Sequence, residues 1–441
     1  MTAASTAETV SPGLLKVMEM ARRDPQMRFF SLAHRIDEDA LRRAFDRLKK
    51  QAAAGVDGIT KEAYGQELEA NLQALHARMK AGQYRHQPVR RVHIPKAPGK
   101  TRPIGIMSTE DKIVQSALAE VLGAIYEQDF IEGSYGYRPG RSAHDALRAL
   151  DRAVYDGEAN WILEADLVSY FDRIDRSMLL EMLQTRIADT SLLRLIGKCL
   201  HVGVLDGEEF TTPDRGTAQG SALSPMLGNI YLHYALDQWF EHEVKPRLRG
   251  RARLIRFADD LVFTFEHRDD AERMMEVLPR RMERYKLTLH PDKTRLIPFA
   301  RPDQDQRNGK GPATLDLLGF TLYWRRSRKG RWMLAMKTRK ARLQRAAQAV
   351  RDLCKRQRHE PIAEQCAGLR RRIQGHMNYF GVQGNLRALR WLVWHAERTW
   401  WKWLNRRSQR SRLNWERFRD VLRNFPLPKL QIKVCIWRTA S

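Results

Sequence analysis

Apolar positions recur at helical spacing through residues 14–50, broken around Asp24-Pro25, and again through 60–82. Between them Gly55 and Gly58 mark a turn, and Thr60 followed by Glu62 predicts a helix start. Residues 88–106 alternate apolar and polar and are cut by Pro and Gly, which predicts a β-hairpin turning at Ala97-Pro98-Gly99-Lys100. Helices are predicted over 109–128 and 141–157, flanking a loop at 133–140. A strand at 161–166 follows, then helices from about Asp175 and over 189–202, and a hairpin at 203–212. A turn at 217–220 leads into an apolar helix over 222–243. Two short strands, 254–257 and 261–265, surround Ala258-Asp259-Asp260, and a helix covers 269–286. Residues 302–314 read as loop, 315–324 and 331–336 as a second hairpin, and 338–423 as helical throughout. No repeat is visible. Helices and strands alternate without βαβ regularity, so the class is α+β rather than doubly wound α/β.

Charge divides this chain of 441 residues unevenly. Residues 1–324 hold 47 Lys/Arg and 46 Asp/Glu, whereas 325–441 hold 31 and 6, together with eight of the eleven Trp. A basic, Trp-rich segment after a nearly neutral body predicts a polyanionic partner, because cations release counterions from phosphates and aromatic planes stack on bases. Trp391, Trp394, Arg398 and Trp401 fall on one helical face, and these Trp are expected to be packing residues. The four cysteines (Cys199, Cys354, Cys366, Cys435) include no CxxC pair, which argues against a zinc ribbon or disulfide scaffold and fits a reducing compartment. No run of 18 apolar residues exists and the N-terminus lacks a secretion pattern, so no membrane contact and a cytoplasmic location are expected.

The sharpest local feature is IRFADDLVFTF at 255–265. Two adjacent carboxylates between apolar strands repel each other and lose hydration unless a cation neutralises them. A further Asp, Asp166, ends the strand WILEAD just before a turn. Three such carboxylates suffice to hold two Mg²⁺ ions roughly 4 Å apart for in-line phosphoryl transfer. A polar hairpin turn would also place two aspartates here, and spacing alone leaves both readings open. Two other patterns lead nowhere. APGKT at 97–101 echoes a phosphate-binding loop but has Ile94 where that loop needs Gly, and no HExxH exists.

Eight blocks in order decide between those readings. They are AGVDGIT (54–60), PVRRVHIPKAPGKTRPIGI with STEDKIVQ (88–115), GSYGYRPGRSAHDAL (133–147), EADLVSYFDRID (164–175), GTAQGSALSPMLGNIYLH (216–233), IRFADDLVF (255–263), LTLHPDKT (287–294) and LDLLGF (315–320). In these the chain resembles a group II intron-encoded reverse transcriptase/maturase from about Ala54 onward. RRIQGHMNYFGV (371–382) and the stretch 413–434 resemble the family's thumb or maturase region.

The resemblance implies a right-hand polymerase with an antiparallel palm sheet. An N-terminal helical extension (1–53) would precede fingers with part of the palm (54–160), the palm with its aspartates (161–324) and a basic helical thumb/maturase domain (325–441). It implies Asp166, Asp259 and Asp260 as catalytic carboxylates, and Asp166, Leu167, Asp259 and Asp260 as the positions holding two Mg²⁺. Lys96 and Arg102 match the pair that grips the triphosphate, and Phe171 matches the ring that blocks the ribose 2′-hydroxyl. Gln219 and Gly220 match the turn lining the nucleotide pocket. Lys293 matches the lysine near the leaving pyrophosphate, and Gly319 with Phe320 the primer grip. Phe257 stands where the family commonly has Tyr, and Ala218 where it has Pro; neither change removes a metal ligand.

The partners so implied are RNA template and intron RNA, DNA primer or target, and deoxynucleoside triphosphates, with no obligate protein partner evident. Many members also carry a zinc-bearing endonuclease, for which this sequence offers no Cys pairs; mobility is then expected to use a pre-existing primer. A splicing-only RNA-binding maturase and a host-domesticated reverse transcriptase serving defence are the alternatives.

Overall fold

The helix Thr109–Asp129 is apolar along most of its length, burying Ile113, Val114, Leu118, Val121, Leu122 and Ile125. Each such side chain contributes about 1.5–3 kcal/mol on leaving water. Ser108 starts it, its Oγ accepting from the Asp111 amide at 3.1 Å. Helices Pro12–Arg23 and Glu38–Arg47 pack against it. Asp189 caps the helix Thr190–Leu200 and also accepts from the amides of Leu32 (2.6 Å) and Ala33 (2.7 Å). Those amide donors hold its carboxyl below the ordinary value despite burial.

The computed structural model describes residues 11–97, 100–217, 220–303, 313–327, 329–408 and 413–436; the side chains of 95–97 and 100 lie outside it. The chain packs as two compact units. The first comprises residues up to 142 with 163–263 and 269–295; the second comprises 143–162, 264–268 and 296 onward.

In the first unit the predicted hairpin is present as β1 (Val89–Ala97) and β2 (Lys100–Ile106), antiparallel from Arg90↔Ile106, with a register shift between Pro95 and Ala97. Short strands β4 (Val204–Asp206) and β5 (Glu209–Thr211) extend it, β4 running parallel to β1, giving the order β2-β1-β4-β5. Asp111 supports this sheet's approach, accepting from Tyr84 Oη (2.5 Å) and the Gln87 amide (3.1 Å). His86 Nδ1 stands 2.9 Å from the same carboxylate and Cys199 Sγ 2.9 Å from His86 Nε2.

A second sheet has the order β6 (Ala252–Phe257), β7 (Asp260–Phe265), β3 (Trp161–Asp166), β8 (Arg295–Pro298). Strand β8 is a short element that periodicity did not predict. The expected helix over 222–243 is Ser224–Leu232 continued by two π-helical stretches, His233–Asp237 and Phe240–Val244.

In the second unit the predicted single strand over 315–324 is two strands. β9 (Thr314–Leu317) and β10 (Phe320–Arg326) are joined by Leu318 (φ 50°) and Gly319 (φ 84°), both left-handed, as a two-residue hairpin requires. β11 (Trp332–Thr338) completes the order β11-β10-β9. Helices Lys340–Arg356, Ile362–Phe380, Leu386–Leu404 and Trp415–Asn424 occupy the stretch read as helical.

Of the Trp face expected to pack, only Trp401 does so, half-buried with its ring 5.6 Å from Trp415 and its indole N–H donating to Leu413 O at 2.9 Å. Trp391 is 39% and Trp394 50% exposed, and the Leu386–Leu404 helix buries Leu389, Leu392, Ala396, Thr399 and Trp400 instead. Trp400 is fully buried, its indole N–H donating to Gln365 Oε1 at 2.9 Å. Helical spacing identifies a face but not which of two competing faces turns inward; the aliphatic one did.

Candidate active site

Asp166 is the last residue of β3, and Asp260 opens β7, its neighbour in the sheet. The β6–β7 turn is Ala258-Asp259, with Ala258 left-handed (φ 58°). A non-glycine residue there stores strain, and such residues cluster at functional sites. Ser169 (φ 48°), just after Asp166, is another. Beyond β3 the chain continues as a ladder: the Val168 amide donates to Thr288 O (2.9 Å) and the His290 amide to Asp166 O (2.7 Å), with Leu167 opposite Leu289. That ladder delivers the turn Pro291–Lys293, so Lys293 Nζ reaches Asp166 Oδ2 at 2.6 Å.

The three carboxylates share one electrostatic neighbourhood. Burial, then Asp259 and Asp166, push Asp260 up to about 6, against the opposing charge of Lys293. Asp259 is raised by burial and by Asp166, while Arg102 and Lys293 pull it back. Among the described residues no three acidic, His or Cys side chains stand at metal-ligating spacing; the ammonium of Lys293 meets Asp166 instead. The donor chemistry, carboxylate oxygens crowded closely enough that Asp259 and Asp260 are both raised by the Asp166 charge, suits a hard oxygen-seeking cation such as Mg²⁺.

Around this cluster the first unit gathers other expected residues. Phe171 follows the short helix start at Tyr170, and Gly228 makes room for both rings: a Cβ there would stand 3.0 Å from Phe171 and 3.2 Å from Tyr170. Tyr170 Oη donates to the Gly228 carbonyl at 2.5 Å. The Thr217 amide donates to Phe171 O (2.8 Å) and the Gly216 amide to Ile174 O (2.8 Å), anchoring the chain that leads into the 217–220 turn. Gly220 (φ 108°) lies against the Gly105 carbonyl of β2, where a side chain would collide. Gln219 and Ala218 lie outside the described residues, as does the Lys96 side chain. Arg102 is exposed on β2. Gly319 and Phe320 belong to the second unit. Phe320 stacks on Tyr379 at 5.7 Å, and Tyr379 Oη donates to Leu318 O at 2.8 Å, fixing the β9–β10 turn.

Two residues of this site were not singled out from sequence. Tyr137, left-handed at φ 58° and 55% exposed, sits 6.5 Å from the Phe171 ring and 6.4 Å from Phe257. Burial and the Asp259 charge raise its hydroxyl, and Arg102 opposes them. Arg256, in β6, is fully buried and holds the hairpin from beneath. Its guanidinium donates to both oxygens of equally buried Asp237 (2.9 and 2.6 Å), to Asn229 Oδ1 (2.9 Å), to Ser134 Oγ (2.8 Å) and to the Ala258 carbonyl (3.4 Å). The loop 133–137 runs beside β6 like an added strand: the Arg256 amide donates to Gly133 O and the Tyr135 amide to Arg256 O, each at 2.8 Å. Side chains at Gly133 or Gly136 would strike Leu254 O or the Ala258 amide. The signal available in the sequence was a lone arginine inside an otherwise apolar strand.

The π stretch explains how one helix supplies two of these partners. Asn229 and Asp237 are eight residues apart, which in a regular α-helix leaves them about 80° apart around the axis. One residue absorbed by the π turn brings them to within about 20°.

A family model described as reverse transcriptase (RNA-dependent DNA polymerase) matches residues 94–322. Protein YkfC of Escherichia coli (strain K12) is 39% identical over 45% of this chain and 52% of its own length. Group II intron-encoded protein LtrA of Lactococcus lactis subsp. cremoris is 37% identical over 43% of this chain and 32% of its own. Nuclear intron maturase 2, mitochondrial, of Arabidopsis thaliana is 29% identical over 32% and 24%. The match thus spans about half or less of each relative's length. More than half of the chain matches the family model, and the carboxylate-bearing strands fall inside the match: the chain belongs to the reverse transcriptase family, with group II intron-encoded proteins among its relatives.

Proposed function

We propose that the chain is an RNA-directed DNA polymerase of a group II intron, which also assists splicing of the intron RNA. The observation that carries this reading is the neighbourhood of Asp166, Asp259 and Asp260, in which the charge of Asp166 raises the pKa of both Asp259 and Asp260 and Lys293 opposes it. Asp166, Leu167, Asp259 and Asp260 would hold two Mg²⁺, which when bound lower the pKa of a primer 3′-hydroxyl and offset charge on the triphosphate. Arg102 and Lys96 bind the triphosphate, the guanidinium able to take two phosphate oxygens at once. Phe171 presents its ring to the sugar edge and excludes a 2′-hydroxyl by size, while Gln219 and Gly220 line the pocket. Lys293, three donors on a flexible stem, leaves Asp166 for the departing pyrophosphate and gives it a proton. Gly319 and Phe320 hold the primer end. The division into fingers (54–160), palm (161–324) and thumb (325–441) belongs to the same reading.

Primer extension on an RNA template with deoxynucleotides tests it. Wild type should extend and Asp259→Ala should not; an inactive wild type, or an Asp259→Ala variant as active as wild type, overturns the proposal. The splicing role is favoured by the 31 basic residues of 325–441 and by relatives named as intron maturase and intron-encoded proteins. It predicts faster splicing of the cognate intron with protein than without. Flanking DNA lacking intron RNA domains would favour a host role for the same chemistry.

A further inference from the structure

We propose that the solvent face of the Leu386–Leu404 helix is a stacking platform for unpaired RNA, with Trp391 and Trp394 receiving bases and the arginines beside them the phosphates. The proposal rests on the polymerase and splicing reading above and adds the place and the form of RNA engaged.

The helix has two faces of unlike chemistry. Leu389, Leu392, Ala396, Thr399, Trp400 and Leu404 are buried. Arg387, Arg390, Trp391, Trp394, Arg398 and Lys402 are exposed and fall along a single stripe, three or four residues apart except for the adjacent pair Arg390-Trp391. Large rings ordinarily go to the core; two on a cationic stripe, 39% and 50% exposed, form a surface with an apolar and a charged component together.

Each ring is braced from one side by the residue one turn on. His395 stacks on Trp391 with centroids 5.1 Å apart and planes within 16°. The Arg398 guanidinium lies 4.9 Å from the Trp394 centroid and 5.9 Å from that of Trp415, itself 38% exposed. Such bracing removes rotamer freedom before any ligand arrives, so less is lost on binding. The stripe lies in a segment holding 31 basic and 6 acidic residues, which sets the sign of the partner.

Unpaired RNA satisfies both components at once, since each nucleotide carries a π-face and a phosphate. A paired A-form helix hides its base faces and offers only phosphates and 2′-hydroxyls. An acidic protein would meet the cations but has no series of flat faces at nucleotide spacing.

The test uses the full chain and a fluorescein-labelled oligouridylate, with a blunt RNA–DNA duplex present in excess to occupy the polymerase cleft. Anisotropy is read across a series of potassium chloride concentrations. Trp391→Ala with Trp394→Ala should weaken oligouridylate binding about ten- to a hundredfold, leaving the dependence on salt unchanged and binding of a blunt RNA duplex unaltered. Trp394→Phe, which keeps a ring, should retain most of the affinity and controls for folding. Arg390→Gln should lower the salt slope by about one. Oligouridylate binding that is unmoved in the Trp variants, or lost equally for the duplex, overturns the platform; the first result would point to a protein partner. Primer extension measured on the same preparations separates the two claims. Wild type that fails to extend refutes the polymerase reading, whereas intact extension with unmoved oligouridylate binding refutes the platform alone.

Discussion

Replacing Arg256 tests whether the carboxylate hairpin is held from below. Arg256 and Asp237 are both fully buried and joined by two hydrogen bonds, so Arg256→Met leaves an uncompensated carboxylate inside the first unit. Burial already raises the Asp237 pKa, with the guanidinium opposing that rise, so removal of Arg256 pushes it further toward the protonated form. Breaking one partner of such a pair costs about 3–5 kcal/mol, a large fraction of the roughly 5–15 kcal/mol that keeps a protein folded. Asp237→Leu alone should cost a similar amount by stranding the arginine. The double variant replaces both charges with apolar groups and should recover most of the loss, giving a coupling of about 3 kcal/mol in a double-mutant cycle. Urea denaturation of the four proteins measures it. Coupling below about 1 kcal/mol, the range of exposed pairs, would refute the argument. Primer extension should stay impaired in the double variant even when stability returns, because its leucine and methionine cannot bond the Ala258 carbonyl, Asn229 or Ser134.

Other expectations follow from the same geometry. Asp260, raised to about 6, binds its proton more tightly folded than unfolded, so its penalty is present above pH 6 and relieved as pH falls toward the ordinary carboxylate range. Asp260→Asn should therefore raise the thermal unfolding temperature at pH 8 but not at pH 4, while abolishing extension; equal effects at both would contradict the assignment. In wild type the Mg²⁺ concentration for half-maximal extension should rise as pH drops through about 6, since protons and the cation compete for that carboxylate. Phe171→Ala should admit ribonucleotides with little change in deoxynucleotide use, as read by single-nucleotide incorporation; unchanged discrimination would remove Phe171 from the sugar edge. Gly136→Ala would force a Cβ into the Ala258 amide and should cut the extension rate at least tenfold (1.4 kcal/mol or more), a full rate being the contrary result.

The parts of the site legible in the sequence are those where local pattern and chemistry coincide. IRFADDLVFTF announces both its strands and its carboxylates, and WILEAD ends where its Asp is needed. Less legible were features set by packing between distant segments. The turn at Leu318-Gly319 interrupts a run that alternates well enough to read as one strand, and only the left-handed pair reveals it. Arg256 has five acceptors drawn from residues 134, 229, 237 and 258, so its role depends on a fold that its neighbours in sequence do not specify. Trp391 and Trp394 show the converse: spacing found a genuine face and assigned it to the interior, where the face bearing Leu389, Leu392 and Ala396 had the better claim.

The π turn at His233–Asp237 makes the length of this helix a counted quantity. Rewinding 229–237 as regular α-helix at the present length would turn the acid to about 80° from Asn229 and strand the arginine it serves, whereas deleting the absorbed residue would leave the two side chains aligned. A further insertion between residues 229 and 237 should thus be rejected while a single deletion is taken up by the π turn, an irregular winding that serves as a vernier for aiming two side chains at one cation.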